Sequence, residues 1–268
     1  MTMQASDSDS RVTPQQTDAA GNEPLRFLDS KRYEMRKVPM WHPLAYIIRQ
    51  LPLALQRAVQ RCKLPERPRI LDYGCAEIPY RHFFPEGAEY LGADLPGNPD
   101  ASVHIRDDGS LPVTTNTVDF VLSSQVLEHV ESPARYLAEA YRVLKPGGEL
   151  VLSTHGIMIY HKDPVDYWRW TGEGLQKAVR DAGFEVWHFE GVMGLGPSGL
   201  QLFQDATWIH FPRFLRSLWV LLIQSLIALL DRMHSAGSKA DNALVYVVNA
   251  RKPAAGLSPD AQWRESAR

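Results

Sequence analysis

Residues 69–84, RILDYGCAEIPYRHFF, join a short apolar run to a turn that packing alone does not explain. A buried strand accounts for Ile70 and Leu71, but it needs neither Asp72 nor Gly74. An acid at the tip of a strand, followed by a turn of small residues, is typical of a place where a ligand is held. The stretch therefore predicts a strand that ends at a binding site.

Further strand patterns follow along the chain, with helical patterns between several of them. Helical spacing is clearest at 133–144 and 173–183. The strand patterns are YLGAD (90–94), ASVHIRDD (101–108), VDFVLSS (118–124), ELVLST (149–154), FEVWHFE (184–190) and ALVYVVNARK (243–252). Strands that alternate with helices predict an α/β fold: a Rossmann-like, mostly parallel, seven-stranded sheet with helices on both faces and a helical N-terminal extension.

Composition divides the chain into segments. Residues 1–24 are polar and are predicted to form a disordered tail. In the predicted N-terminal extension, 25–65, the run WHPLAYIIRQLPLALQRAVQ has helical spacing that Pro52 breaks. The main α/β domain is predicted at 66–252, with an apolar helical insertion at 200–235, and a flexible C-terminal tail at 253–268.

Charge and cysteine content exclude some classes of protein. Lys and Arg number 29 against 31 Asp and Glu, a net charge of −2, whereas a nucleic-acid-binding domain normally carries a basic excess. Cys62 and Cys75 lie in unlike contexts and indicate no disulfide framework. The N-terminus has no apolar core and is not a signal peptide, so a cytoplasmic protein is predicted.

The turn after the first strand separates two classes of cofactor. Dinucleotide sites use G-x-G-x-x-G so that helix amides can approach the pyrophosphate. Here the third small residue is absent and Pro79 occupies the place of those amides, which disfavours a nicotinamide-dependent sugar dehydrogenase. Asp94, 22 residues after Asp72 (94 − 72), could hold a ribose in either class.

The motifs D-Y-G-C, YLGAD, LPVTTNTVDFVLSSQVLEHV and RVLKPGG together resemble class I S-adenosylmethionine-dependent methyltransferases. Within that class the chain resembles the bacterial type 11 subgroup, many of whose members act on sugars or polysaccharide precursors. The likeness runs from about residue 66 to 190. It implies that S-adenosylmethionine is the cofactor and that the main domain transfers a methyl group.

The resemblance also implies which strand-end residues meet the cofactor. They are Asp72, Gly74 and Ala76 at its amino-acid end, Asp94 at the ribose, Asp107 and Asp108 at the adenine, and Gln125 beside the sulfonium. Ala76 stands where the family has its second glycine. Because alanine is small, binding is expected to survive this replacement.

Methyl transfer to a hydroxyl requires a positioned acceptor and a base or metal that takes its proton. The loop QVLEHV resembles the E-x-x-E-H motif with which ubiquinone-biosynthesis O-methyltransferases bind a divalent cation. Glu128 and His129 are therefore candidates for binding a metal such as Mg²⁺, although Gln125 replaces the first acid. The candidate catalytic residues are His155, His129, Glu128 and His161.

The segment STHGIMIYHKDPVDYWRWT (153–171) mixes aromatic rings with carboxylates, a combination that suits a sugar. Its candidate substrate-binding residues are Asp163, Tyr167, Trp168 and Arg169. The favoured function is O-methylation of a sugar or polysaccharide precursor, for instance a mannoside. A small-molecule phenol or a lipid is an alternative acceptor, and the YWRW cluster could instead be the start of a helix that packs on the core, with Arg169 binding a carboxylate.

The segment PRFLRSLWVLLIQSLIALLDR (212–232) is apolar from Leu218 to Leu230, which is short of the roughly 20 residues that a membrane-spanning helix needs. A helix buried on the domain or at a homodimer interface is favoured. A helix lying on a membrane surface, flanked by Arg213, Arg216 and Arg232, is the alternative. A non-catalytic methyltransferase-like subunit that binds a partner through this helix is a further alternative.

Overall fold

Seven strands form a single mixed sheet in the computed structural model, which describes residues 38–161 and 165–254. They are β1 (Arg69–Tyr73), β2 (Glu89–Asp94), β3 (Val103–His104), β4 (Val118–Ser124), β5 (Leu144–His155), β6 (Glu185–Gly194) and β7 (Ala243–Arg251). The order is β3-β2-β1-β4-β5-β7-β6, and only β7 runs antiparallel to its neighbours. The predicted seven-stranded, mostly parallel sheet is confirmed.

Helices cover both faces of this sheet, as predicted. They are α1 (Ala45–Arg61), α2 (Pro133–Val143), α3 (Gly172–Asp181), α4 (Leu195–Thr207), α5 (Arg213–Asp231) and α6 (Ala236–Asp241). On one face, Leu137 of α2 and Leu175 of α3 are fully buried in one core cluster. On the other, Leu55 of α1 and Ile227 of α5 belong to a second cluster. Burial of these apolar stripes is the main force that holds the helices to the sheet.

The strand order reverses between β1 and β4, which lie side by side in the middle of the sheet. From β1 the chain continues outward through β2 and β3, and then returns to β4 on the other side. The carboxyl ends of the strands diverge at such a switch point, so a crevice forms there. The fold thereby places the turn after Tyr73 and the loop after Ser124 against one another.

Three local details differ from the expectations. Helix α1 continues through Pro52 instead of breaking there. Helix α2 ends at Val143, one residue before the end of the helical pattern at 144, because Leu144 is extended and already pairs with Val118 in the sheet. The apolar helical insertion, predicted at 200–235, is longer: it spans α4 to α6, from Leu195 to Asp241, between β6 and β7. The predicted tail 1–24 and most of the predicted tail 253–268 lie outside the described residues.

Candidate active site

A cavity of about 1000 Å³ opens at the carboxyl ends of the central strands. Its volume is at the upper end of the range for small-molecule and cofactor sites. All seven residues that the sequence assigns to the cofactor line it: Asp72, Gly74, Ala76, Asp94, Asp107, Asp108 and Gln125. The fold therefore brings together strand ends that are up to 53 positions apart (125 − 72).

Gly74 is required by both its conformation and its surroundings. Its φ of +82° lies in the left-handed region, which residues with a Cβ rarely adopt. A Cβ at this position would lie 2.4 Å from Cγ2 of Val126, in the loop after β4. The two loops of the switch point are thus in direct contact, and any side chain at Gly74 would push them apart.

The carboxylate of Asp94 is held in a fixed orientation at the end of β2. Its Oδ2 accepts hydrogen bonds from the Ala76 amide at 2.9 Å and from the Asn98 side chain at 2.7 Å. Ala76 has a φ of +45°, so it keeps the left-handed conformation for which a glycine is normally used. Holding alanine there costs about 1 kcal/mol, and such local strain is characteristic of functional sites.

Asp72 is a buried acid whose ionisation is unfavourable. The hydroxyl of Tyr90 donates to its Oδ2 at 2.6 Å, and its side chain is almost inaccessible. Burial raises the pKa of Asp72 to about 7, with a smaller contribution from the Asp94 carboxylate. An ammonium group in the adjacent cavity would favour the ionised form, which fits the amino-acid end of S-adenosylmethionine.

Three histidines line the cavity beyond β4 and β5: His129, His155 and His161. The ring centroid of His161 lies 4.8 Å from that of His155 and 4.9 Å from that of His129. Burial, aided by neighbouring cations, lowers the pKa of His155 well below its usual value. His155 is therefore a neutral imidazole at neutral pH, able to accept a proton.

Glu128 lies behind His155 rather than in the cavity lining. It is fully buried, with Oε1 3.2 Å from Nε2 of His155, and its Oε2 accepts from the hydroxyl of Thr154 at 2.8 Å. Burial raises the pKa of Glu128 to about 7. Since it touches the histidine and not the cavity, Glu128 is placed to orient His155 and to stabilise its protonated form.

An ion pair between Arg169 and Asp166 fixes the loop that carries His161. Both guanidinium Nη atoms of Arg169 bond the two oxygens of Asp166 at 2.5 Å, and the amide of His161 donates to the same carboxylate at 2.9 Å. Arg169 also donates to the carbonyl of Met158. This arginine therefore binds a carboxylate, as the alternative interpretation of the YWRW cluster predicts.

The residues present do not fit Mg²⁺. Glu128 and His129, the predicted metal pair, offer one oxygen and one nitrogen that lie 4.0 Å apart, and ligand-type atoms of His155, His161 and Asp166 lie within 4.8 Å of one another. Two of these three groups offer nitrogen, whereas Mg²⁺ prefers oxygen ligands. The third, Asp166, already has both oxygens bound by Arg169.

The predicted substrate-binding cluster lies beside the cavity. The amides of Tyr167 and Trp168 donate to the carbonyl of Glu128, and the Trp168 indole donates to that of Val130. Tyr167, Trp168 and Arg169 are not among the described residues that line the cavity. Asp163 lies outside the described residues. Substrate contact by these four residues stays a prediction.

One wall of the cavity was not anticipated. Leu44, Ile47, Ile48 and Leu51, which precede or belong to α1, line it together with Met158. Their spacing of three and four residues is the pattern of one helical face. That spacing is readable in the sequence, but it does not reveal whether the face meets the core or a ligand. The cavity therefore has a polar cofactor end and an apolar end.

The glycine turn, the acid at the end of β2 and the cavity between them define a Rossmann-like cofactor-binding fold. The chain belongs to the methyltransferase-domain family, whose model matches residues 47–189. A chain in the solved complex between the Haloferax volcanii Trm112 methyltransferase activator and a methyltransferase has the same fold. It aligns with a TM-score of 0.51 at 17% identity, over 82% of this chain and 96% of that chain.

Curated relatives match part of the chain. A ubiquinone biosynthesis O-methyltransferase of Cereibacter sphaeroides is 33% identical over 128 residues, which cover 41% of this chain and 51% of that protein. A Mycolicibacterium smegmatis protein described as a probable S-adenosylmethionine-dependent methyltransferase is 27% identical over 167 residues, covering 56% of this chain and 64% of that protein. The chain thus spans between half and two thirds of the length of these relatives.

Replacing Asp72 by asparagine should change the pH dependence of stability. Between about pH 4 and 7 the folded wild type keeps a proton that the unfolded chain has lost, so its free energy of unfolding falls as pH rises through this range, by about 2–4 kcal/mol from this group. Asp72→Asn has no titratable group at this position. Its free energy of unfolding should therefore rise relative to that of wild type as pH rises from about 4 to 7.

Denaturant unfolding at pH 5 and pH 8, together with calorimetric titration by S-adenosylhomocysteine, checks this expectation. The variant should also bind S-adenosylhomocysteine at least tenfold more weakly at pH 8, because the ligand's ammonium loses its anionic partner. Asp181→Asn, at an exposed carboxyl on α3, is the control. Equal pH dependence of stability in Asp72→Asn and wild type would show that Asp72 is ionised in the folded protein over the whole pH range tested.

Proposed function

We propose that the protein is an S-adenosylmethionine-dependent O-methyltransferase whose acceptor is a small molecule with a hydroxyl and an apolar portion. The observation that carries the proposal is the neutral His155, backed by buried Glu128, in the same cavity as the cofactor residues. The Cereibacter sphaeroides relative, named as an O-methyltransferase, supports transfer to oxygen.

His155 acts as the general base. Its Nε2 faces Glu128, and its buried Nδ1 has no hydrogen-bond partner among the described residues, so Nδ1 is the nitrogen that takes the acceptor's proton. The carboxylate of Glu128 stabilises the imidazolium that results. S-adenosylmethionine, when bound, supplies a methyl group on a positively charged sulfur. The chain aligns the hydroxyl with that methyl and removes its proton.

The apolar wall supports one acceptor class over the other. A sugar exposes hydroxyls on most sides and would place some of them against the apolar atoms of Leu44, Ile48 and Leu51 that line the cavity. A phenol or lipid with a hydrocarbon portion would bury that wall and gain about 25 cal/mol per Å² of apolar surface. The aromatic residues that favoured a mannoside lie outside the described lining. We therefore favour the phenol or lipid over the sugar.

Binding and transfer assays test the proposal in sequence. Calorimetry should show binding of S-adenosylhomocysteine and none of NADH. Transfer of labelled methyl groups should then be measured to phenols with and without an alkyl chain, and to mannosides. Transfer to mannosides alone would restore the sugar. Absence of S-adenosylhomocysteine binding would favour a non-catalytic subunit instead.

A matched pair of α1 variants tests the apolar wall. Leu51→Gln should raise KM for an alkylated phenol about tenfold, because it places an amide against the hydrocarbon portion. The affinity for S-adenosylhomocysteine should not change. Leu53→Gln is the control, since Leu53 is on the same helix, is 40% exposed and is not among the cavity-lining residues. Equal KM values for both variants would contradict an apolar acceptor site at this wall.

A further inference from the structure

Helix α5 exposes a continuous apolar stripe to solvent. Phe214 is 82% exposed, Leu218 63%, Leu222 60% and Leu229 58%, and Met233 continues the stripe beyond the helix end. The spacing of these residues is that of one helical face. The stripe follows a helix of 19 residues, which is about 28 Å long. Soluble proteins rarely expose a contiguous apolar patch of this extent without an interaction that uses it.

The opposite face of α5 fastens the helix to the domain. The side-chain amide of Gln224 donates to the carbonyl of Pro43 and to the Gln201 and Gln204 side chains. Asp231 accepts hydrogen bonds from Tyr46 and from the amide of Gly194. Contrary to the prediction that its apolar run is too short, α5 is the one helix among the described residues whose length and composition would suffice to cross a membrane. These buried polar contacts hold it against the domain surface instead.

Charges at the ends of α5 have one sign. Arg213 and Arg216 lie at its start, and Arg232 follows its end. Between residues 206 and 240 the single acid is Asp231, which is buried and paired with Lys239. Within residues 206–240 the exposed stripe is thus flanked by basic groups and by no exposed acid, and the next exposed acid along the chain is Asp241 at the end of α6.

This charge pattern argues against a second copy as the occupant. Two stripes that packed antiparallel would set Arg232 of one copy near Arg213 of the other, and parallel packing would set each arginine near its own equivalent. Both arrangements juxtapose like charges, and residues 206–240 offer no exposed acid to compensate them. A surface that is both apolar and anionic would match the apolar stripe and the arginines at its two ends.

We propose that α5 docks the protein on the surface of an anionic lipid membrane. The leucine stripe enters the boundary between headgroups and acyl chains, and Arg213 and Arg232 approach the lipid phosphates. Helix α5 packs on α1 through Tyr46, whose neighbours Ile47 and Ile48 line the apolar end of the cavity. The docked helix therefore lies beside the wall that we assign to the acceptor. The docking itself rests on the surface of α5 alone and not on the proposed activity.

Vesicle co-sedimentation with the full-length chain tests this proposal. The protein should bind vesicles of phosphatidylcholine mixed with phosphatidylglycerol, and bind vesicles of phosphatidylcholine alone at least tenfold more weakly. The double variant Leu218→Glu with Leu222→Glu should lose at least tenfold in binding to the mixed vesicles. Arg213→Gln with Arg232→Gln should lose about as much, at roughly fivefold per arginine.

The control keeps the charge change and moves it to another face. Lys177→Gln with Arg180→Gln on α3 also lowers the net charge by two, but α3 covers the opposite side of the sheet. This variant should bind mixed vesicles as wild type does. Circular dichroism confirms that each variant is folded, and the exposed position of Leu218 and Leu222 makes that expected.

Three results would overturn the proposal. One is no binding of the wild type to mixed vesicles. Another is an equal loss for the α3 and α5 variants, which would mean that binding follows net charge alone. The third is a wild-type dimer in sedimentation velocity that Leu218→Glu with Leu222→Glu dissociates, without vesicle binding, which would assign the stripe to a second copy. Because the readout is binding and not turnover, failure of the proposed activity leaves this test intact.

Discussion

The variant His155→Ala should lower kcat between a hundredfold and ten-thousandfold, the usual contribution of a positioned general base. Its affinity for S-adenosylhomocysteine should stay within about twofold of wild type, because the cofactor residues lie on other strand ends. His129→Ala should have a smaller effect, because Nε2 of His129 lies 4.0 Å from Oε1 of Glu128, against 3.2 Å for Nε2 of His155, so the buried carboxylate stabilises its protonated form less. His188→Ala, on β6 and paired with Glu190, is the control.

The pH profile distinguishes a base from a residue that only shapes the cavity. In wild type, kcat/KM should fall as pH drops below about 7, because Glu128 then takes a proton and no longer stabilises the imidazolium. Glu128→Gln should lower kcat and remove this acid limb. Wild-type turnover in both His155→Ala and His129→Ala would show that neither is the base, and loss of wild-type turnover after chelation would indicate a metal instead.

The second large effect is expected from Gly74→Ala, which should weaken binding of S-adenosylhomocysteine more than a hundredfold. The added Cβ would lie 2.4 Å from Cγ2 of Val126, so the turn after β1 and the loop after β4 must separate. Both loops line the cofactor end of the cavity, so the separation displaces several binding groups at once. Calorimetric titration measures this loss directly.

Two further variants separate the clash from the backbone conformation. Gly147 has the same φ of +82°, but a Cβ there meets nothing within 4 Å. Gly147→Ala should therefore carry only the conformational cost, about 1 kcal/mol of stability. Its affinity for S-adenosylhomocysteine should not change. Combining Gly74→Ala with Val126→Ala removes the methyl that clashes and should recover part of the affinity. Wild-type binding by Gly74→Ala alone would contradict the close contact of the two loops.

Local pattern predicted the sheet and its strand-end residues well. Apolar runs that end in Asp72, Asp94 and Gln125 predicted parallel strands whose carboxyl ends share one edge, and these residues line one cavity. Helix ends were less predictable. Leu144 belongs to a strand although a helical pattern runs through it, because its pairing with Val118, 26 residues earlier (144 − 118), outweighs local preference.

Side-chain roles that depend on two distant segments were beyond the sequence. Arg169 was predicted to be a substrate contact, with a carboxylate as the alternative partner, but the local sequence does not show that this carboxylate is Asp166 or that Arg169 also donates to the carbonyl of Met158. The apolar face of α1 could as well have been a core face. Its position at the cavity follows from packing against the sheet, which periodicity does not specify.

Local patterns along the chain were enough to predict the class of fold, the glycine turn and the acids of the cofactor end, because strand alternation and glycine chemistry are local properties. The positions of Glu128 behind His155 and of α1 at the wall of the cavity became visible only in the folded chain. Residues 128 and 155 meet because β4 and β5 are neighbours, with Ser124 paired to Ser153. Such contacts arise from the order of strands in the sheet, and that order is settled by burial of the whole core rather than by any short stretch of chain.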